Sequence, residues 1–478
     1  MAKKFIDRTI KFDVHDDFAF PDLTDLTPAG ARWELVEYEV EQTYYDSPYC
    51  DLDKVGVRLR RRIGGPKPGW QLRSPARKVN AEIIENPVSD HIPEMLARIC
   101  FGLAGSDVQP VSAVTIKRQI HRLWSRDGVP LIDIADDSVS GHSLDDKTVP
   151  SNWHELEMKL RFVTNQRLSN KIGDRLVAAG ARHSQWRSKL ERSLNGEPEA
   201  STSHAHTLGE LVTEYIWSEC ETLLHSDIGL RIPKFVVHES RIAIRRLTSA
   251  LTVFGPIFDS GRAAHLHAEL TWLSEQLEEL RDADVVRRRL AVAVQQVAPE
   301  FVLGPVAVDI EHTLLAERRR LFADLAEVMV TKRYLALVSD LKAWRKAPPL
   351  TKLAQQKVSA GRPYVKLAEE KAIEQLRHAR GLEALQEARD AARRLRHATE
   401  LLENVGTEKI GHTLRTTSEL QILLAEHRDA LASADVLLRM GQAADKSRER
   451  NGFTYGLLLA RERERADHVR FELSKRWA

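Results

Sequence analysis

The chain has 478 residues, too many for one ordinary core and enough for two domains. Hydrophobic residues make up 42% and charged residues 29%, proportions that exclude wholesale disorder. The formal net charge of +2 comes from 71 basic and 69 acidic residues, so the informative quantity is where each sign gathers. Cys50, Cys100 and Cys220 stand far apart, in odd number and in no metal-ligand spacing. A reducing compartment is expected and a disulfide framework is not. The opening MAKKFIDRTIKFDV has no apolar leader core, and no run approaches ~18 apolar residues. Secretion and membrane spanning are disfavoured, and a cytoplasmic location is expected.

In chain order, about the first 190 residues alternate apolar and polar positions over short runs broken by Pro, Gly and Asp. The runs are IKFDV, VGVRLRRRIGG, GWQLRSP, VTIKRQIHRLW, VPLIDIADD and WHELEMKLRFV. Helical interludes fit around Ile92–Leu103 and Asn170–Gly180. A polar stretch without periodicity, within 196–206, reads as a linker. From 207 to 478 the texture is helical, rich in Leu, Ala, Arg and Glu. The expected fold is an α+β two-domain chain: an antiparallel β barrel over 1–195, then an all-α bundle.

The polar faces of these strands carry charge. Successive residues point to opposite sides of a strand, so Asp7, Thr9 and Lys11 share a face. By the same rule Arg58, Arg60 and Arg62 align, as do Gln71 and Arg73, Asp133 and Asp137, and Glu155, Glu157 and Lys159. One solvated face would account for any single strand. Basic and acidic groups on different strands also suit a charged lumen, where Arg and Lys grip phosphoryl oxygens and carboxylates hold a divalent cation.

The order of these pieces resembles the CYTH, or triphosphate tunnel metalloenzyme, domain over about residues 3–193. Asp7-Arg8-Thr9-Ile10-Lys11 stands where that family has E-x-E-x-K. Tyr44-Tyr45-Asp46-Ser47-Pro48, Gly56 to Arg62, Trp70-Gln71-Leu72-Arg73, Glu155-Leu156-Glu157 and Ser188-Lys189 are similar to its further motifs. The resemblance implies oligophosphate binding by Lys11, Arg58, Arg60, Arg73, Lys117 and Lys189, with Arg118 replacing Lys117 under a one-residue slip. It implies Mg²⁺ or Mn²⁺ on Asp7, Asp133, Asp137, Glu155 and Glu157, with Lys11, Glu155 and Glu157 catalytic if the domain is active. Thr9 replaces an expected glutamate and Asp7 is a methylene shorter, so the anion grip is expected to survive better than the hydrolysis.

In the helical half, the segments His238–Leu247 and Gln386–Leu395 match at an offset of 148 residues: Arg241, Arg245, Arg246 and Leu247 fall on Arg389, Arg393, Arg394 and Leu395. Leu280-Arg281-Asp282 matches His427-Arg428-Asp429 at an offset of 147. Two homologous halves, about 207–345 and 346–478, are expected. At 100° per residue, His238, Arg241, Arg245, Ser249 and Thr252 form a polar stripe opposite Ala243, Leu247, Leu251 and Phe254. Gln386, Arg389, Arg393 and His397 repeat it. Two such stripes would make a basic groove for a flexible polyanion. Asp282 and Asp284 either brace the arginines or form structural ion pairs.

This pattern resembles the CHAD domain, over roughly 207–470. The resemblance implies inorganic polyphosphate binding by His238, Arg241, Arg245, Arg246, Arg389, Arg393, Arg394 and Arg396, and association with polyphosphate granules. Gln386 and Thr248 depart from the pattern. Lys366 and Lys371 are either extra contacts or surface lysines. Competing expectations are an active triphosphatase acting on inorganic, thiamine or nucleoside triphosphate, adenylate cyclisation, and a nucleic-acid-binding scaffold. The last is disfavoured because no base-reading motif accompanies the stripes.

Overall fold

The alternating runs become strands of one antiparallel sheet. The computed structural model describes residues 9–74, 82–86, 88–144, 151–161, 166–194, 205–231, 237–402, 411–445 and 451–477. It divides the chain into two units, Met1–Ser203 and His204–Ala478. Asp7 and most of the expected linker lie outside the described residues.

The first unit contains β1 (Thr9–Val14), β2 (Arg32–Asp46), α1 (Asp51–Lys54), β3 (Arg58–Gly64), β4 (Gly69–Ser74), β5 (Glu82–Asn86), α2 (Glu94–Ala104), β6 (Gln109–Trp124), β7 (Pro130–Ser143), β8 (Ser151–Leu160), α3 (Gln166–Ala178), β9 (Arg182–His183) and α4 (Lys189–Ser193). The strand order is β5-β4-β3-β2-β6-β7-β8-β1-β9. The sheet is open where a closed barrel was expected. Among the described residues β5 does not pair with β9, which is only two residues long. Three strands are absent from the expected set, β2, β5 and β9, and of these β2 joins the two halves of the sheet by pairing with β3 and β6. Its Glu37, Glu39 and Glu41 are exposed, while Tyr38, Val40, Gln42 and Tyr44 turn to the other face.

The sheet's two faces are chemically distinct. On one, Phe12, Ile132, Ile134, Leu156, Met158 and Leu160 are buried with Ile172 and Leu176 of α3. On the other, Leu190 of α4 packs with Val40, Tyr44, Ile116, Val139 and Trp153. The rest of that face is charged. The segment Tyr44 to Pro48 forms the corner that feeds β3: the Asp46 carboxylate accepts the backbone N–H groups of Ser47, Leu52 and Asp53 at 2.7, 2.9 and 2.9 Å.

The second unit is helical: α5 (Leu208–Leu230), α6 (His238–Val253), α7 (Ser260–Gln276), α8 (Glu278–Gln295), α9 (Val306–Val328), α10 (Lys332–Lys346), α11 (Arg362–His378), α12 (Gly381–Leu401), α13 (Gly411–Asp445) and α14 (Phe453–Trp477). A reciprocal cap starts α5, with Thr207 Oγ1 accepting from the Glu210 N–H and the Glu210 carboxylate accepting from that of Thr207. The apolar stripes of α6 and α12 are buried at Ala243, Leu247, Ala391 and Leu395, and the two helices pack against each other.

Gly141 of β7 leaves room for Trp153: a Cβ there would lie 2.9 Å from the indole. Gly141→Ala should therefore cost about 1–3 kcal/mol by overpacking. Hydrogen exchange should show that loss of protection in β6–β8 with the helical unit unaffected. Unchanged exchange in those strands would contradict this packing.

Candidate anion-binding sites

Strand register brings three carboxylates of the sheet's charged face to one ammonium. Asp137 of β7 lies opposite Glu155 of β8, and Lys11 of β1 lies opposite Glu157. The Nζ of Lys189, at the start of α4, is 2.8 Å from Asp137, 2.6 Å from Glu155 and 3.2 Å from Glu157. Arg118 donates to Asp137 through Nε at 2.6 Å and Nη2 at 2.5 Å, and its Nη2 lies 3.4 Å from Glu157. Lys11 Nζ is 3.2 Å from Glu157, and Trp153 Nε1 donates to Glu155 at 2.7 Å. Burial works against the Glu157 charge, but Lys189, Lys11, Arg118 and Arg73 hold its carboxyl well below the usual range. Burial likewise opposes ionisation of Asp137, and Lys189 and Arg118 outweigh it.

Beside this cluster lies a basic sector. Register sets Arg58 against Arg73 and Arg60 against Gln71, with Tyr44 and Gln42 of β2 opposite Arg60 and Arg62. Gln42 and Gln71 accept from Arg60 at 2.9 and 3.0 Å, so this guanidinium is oriented without being neutralised. Arg58 meets Asp53 at 3.3 Å. Burial pushes Arg73 and Arg62 down, and Arg60 adds repulsion to both.

Two expected residues leave the site. Lys117 is exposed on the opposite face, across from Glu39, so the one-residue alternative Arg118 takes the inner position. Asp133 shares a face with Asp137 but lies four residues along the strand, about 13 Å away. It is bound by Arg122 at 2.8 Å and Arg161 at 2.5 Å. The remaining carboxylates do not fit a resident metal. Each oxygen of Asp137, Glu155 and Glu157 already faces an N–H donor, and Lys189, Lys11 and Arg118 balance their three charges. Thr9 supplies no carboxylate. Among the described residues no group of three or more His, Cys, Asp or Glu is arranged to hold a metal ion.

In the helical unit, the stripes of α6 and α12 converge with α8 and α13. Arg241 and Arg245 of α6, Arg389 and Arg393 of α12, Arg281 of α8 and Arg428 of α13 lie within electrostatic range of one another. Asp282 and Asp429 bridge α8 to α13, at 2.6 and 3.0 Å from Arg281 and 3.5 and 3.9 Å from Arg428. Glu278 meets Arg428 at 2.9 Å, and Asp390 pairs with Arg393. Among the described residues, Arg241 and Arg245 have no carboxylate within ion-pair distance, and the buried Arg241 Nε has no hydrogen-bond partner. Burial first, then Arg393, Arg241, Arg389 and Arg428, push Arg245 down to about 9. A guanidinium does not surrender its proton in a folded protein. The push is therefore felt as repulsion that a bound anion would relieve.

The sequence left Arg281, Arg428 and Arg62 out of the binding set and offered Arg118 only as the alternative to Lys117. The repeated Arg-Asp pair, the one-residue slip and the alternation of Arg58 to Arg62 were the signals for them. Several expected binders face elsewhere. Arg246 is held by Glu219 at 3.1 Å and Glu400 at 3.2 Å. Arg394 lies near His267, Arg396 is half-exposed at 3.7 Å from Glu400, and His238 is exposed at the start of α6. Asp282 braces the cluster, whereas Asp284 pairs with Arg318 at 2.9 Å. Lys366 and Lys371 are exposed on α11. His397 is buried between the stripes, and burial, Arg396, Arg246 and Arg393 push it down to about 3. Ser249 Oγ donates to the Arg245 carbonyl at 2.6 Å, so it accepts the His397 Nδ1–H at 3.0 Å.

A carboxyl with a depressed folded-state pKa contributes stability above its unfolded value, about 4, and loses it as pH falls through the folded value. The first unit should keep its ion-network stability above about pH 5 and lose it progressively below pH 4. Asp137→Asn should cost about 3–5 kcal/mol at pH 7 by stranding Lys189 and Arg118, and should flatten the acid limb. An unchanged acid limb in urea denaturation would contradict the depressed Asp137.

Residues 10–166 match the CYTH domain family and residues 214–438 the CHAD domain family. The Mycobacterium tuberculosis protein Rv2226 is 27% identical, covering 97% of this chain and 94% of its own. The CHAD domain of the plant Ricinus communis is 18% identical, covering 57% of this chain and 94% of its own, with a TM-score of 0.43. The Hippeastrum protein HpAC1, described as having a dominant triphosphatase activity, is 15% identical, covering 39% of this chain and 95% of its own, with a TM-score of 0.24. Among the described residues no helix is long and apolar enough to cross a membrane. The chain carries a CYTH domain followed by a CHAD domain.

Proposed function

We propose that the helical unit binds inorganic polyphosphate on Arg241, Arg245, Arg389 and Arg393, with Arg281 and Arg428 flanking, and that the sheet binds a short oligophosphate with little hydrolysis. The observation that carries this reading is the pair Arg241, buried, and Arg245, half-buried on the next turn, neither in an ion pair with a carboxylate among the described residues. A buried unpaired charge is costly, and a cluster of them is costlier. A flexible chain with one negative charge per phosphate relieves that cost at every arginine. On the sheet, Arg58, Arg60, Arg62 and Arg73 beside Lys11 and Arg118 suit inorganic triphosphate or a nucleoside triphosphate. The self-neutralised carboxylates and Thr9 argue for slow turnover. A nucleic acid would be expected to stack bases on aromatics, and the arginine cluster is built from arginines and carboxylates. Two duplicated halves are also part of this reading: Ser249 meets His397 and Arg281 meets Asp429, each pair 148 residues apart.

Arg245→Glu with Arg393→Glu in the full chain should abolish long-chain polyphosphate binding at about 0.15 M salt, with helicity intact. Arg245→Met should weaken binding yet raise the ligand-free thermal midpoint, because it removes repulsion. Normal binding by the double variant, or a lower midpoint for Arg245→Met, would overturn the assignment.

Phosphate release from triphosphate in Mg²⁺ or Mn²⁺ should stay far below a typical enzyme rate of about 10 per second. Asp7→Glu with Thr9→Glu should raise it, and Glu155→Gln in that background should cancel the gain. Ordinary turnover by the unmodified chain would favour the triphosphatase reading.

A further inference from the structure

The point where Asp137, Glu155 and Glu157 converge is filled by the protein itself. The Lys189 ammonium sits within 3.2 Å of all three, and only 5% of its side chain is exposed. We propose that Lys189 is a built-in substitute for a divalent cation, so that a metal ion reaches these carboxylates only by displacing it. The inference deepens the reading of the sheet's charged face and rests on it only where triphosphate is used below.

Three observations support it. Among the described residues the ion pairs close without a metal, since Lys189, Lys11 and Arg118 match Asp137, Glu155 and Glu157. A divalent ion entering such a set finds no excess negative charge to offset its dehydration. The ammonium is also held in place by its helix. Ser188 Oγ caps α4 by accepting from the Glu191 N–H at 3.0 Å, Leu190 is buried in the apolar base of this face, and Ser193 bonds Ser112 of β6 at 2.6 Å. Arg192 pairs with Asp13 at 2.7 Å and lies over Trp153 and Trp186. Finally, the three carboxylates point at one position from two neighbouring strands. Hard oxygen donors suit Mn²⁺ or Mg²⁺, and removing the ammonium leaves these three without their shared counter-charge.

The test uses the full chain and Mn²⁺ without phosphate, following free Mn²⁺ by electron paramagnetic resonance together with the thermal midpoint. The unmodified chain should take up no stoichiometric Mn²⁺. Lys189→Met should bind one Mn²⁺ and show a midpoint that rises with Mn²⁺ concentration. Lys189→Met with Glu155→Gln, which restores charge balance and guards against misfolding of the single variant, should bind at least tenfold more weakly than Lys189→Met but above the unmodified chain. Lys189→Arg should bind none. Stoichiometric Mn²⁺ on the unmodified chain, or no gain in either Lys189→Met background, overturns the proposal. Triphosphate should bind the unmodified chain equally in EDTA and in Mn²⁺. Absence of binding in both would count against oligophosphate recognition, and the Mn²⁺ titrations would still decide the role of Lys189.

Discussion

Repulsion between half-buried guanidinium groups is the interaction on which both units turn. In the helical unit Arg245 lies among Arg393, Arg241, Arg389 and Arg428, and in the sheet Arg73 lies beside Arg58 and Arg60. A folded chain tolerates such groups only where the surrounding packing holds them in place. Here that packing is supplied by the apolar stripes of α6 and α12, and by the long strand β2, which pairs with β3 on one side and β6 on the other. On the proposed reading, the unbalanced charge is the feature that selects a polyanion.

The two units treat acidic residues differently. In the sheet the carboxylates are drawn into a neutral knot with Lys189, leaving Arg60 and Arg73 oriented by glutamines and neighbouring strands. In the helical unit the carboxylates Asp282 and Asp429 brace the flanking arginines, and α6 faces the cluster without any. Both devices orient cations while leaving part of the charge uncancelled. On the proposed reading, the sheet takes a short ligand and the seam of four helices an extended one.

What was legible in the sequence follows from the range of each signal. The face shared by Arg58, Arg60 and Arg62, or by Glu155 and Glu157, depends only on the two-residue period of a strand. Register between strands is not local, so Lys117 and Arg118 were equivalent until β6 was paired with β7. Asp133 had the correct face, yet the pairing of β7 with β6 and β8 brings Arg122 and Arg161 onto it, a register that is not local to one strand. On α6 the spacing of Arg241 and Arg245 is a local fact, whereas adjacent Arg246 points about 100° away to Glu219. Arg281 and Arg428 lie on helices far from the stripes in sequence, and only tertiary packing joins them. The barrel was expected to close because basic and acidic faces on different strands suit a charged lumen, but closure needs an edge partner that the two-residue β9 does not offer.

The most direct test of uncompensated charge as the determinant is the salt dependence of polyphosphate binding to the full chain. Four arginines neutralised by the chain should give a slope of log affinity against log salt on the order of −3. A slope near zero would contradict the account, because binding would then owe little to these guanidinium groups.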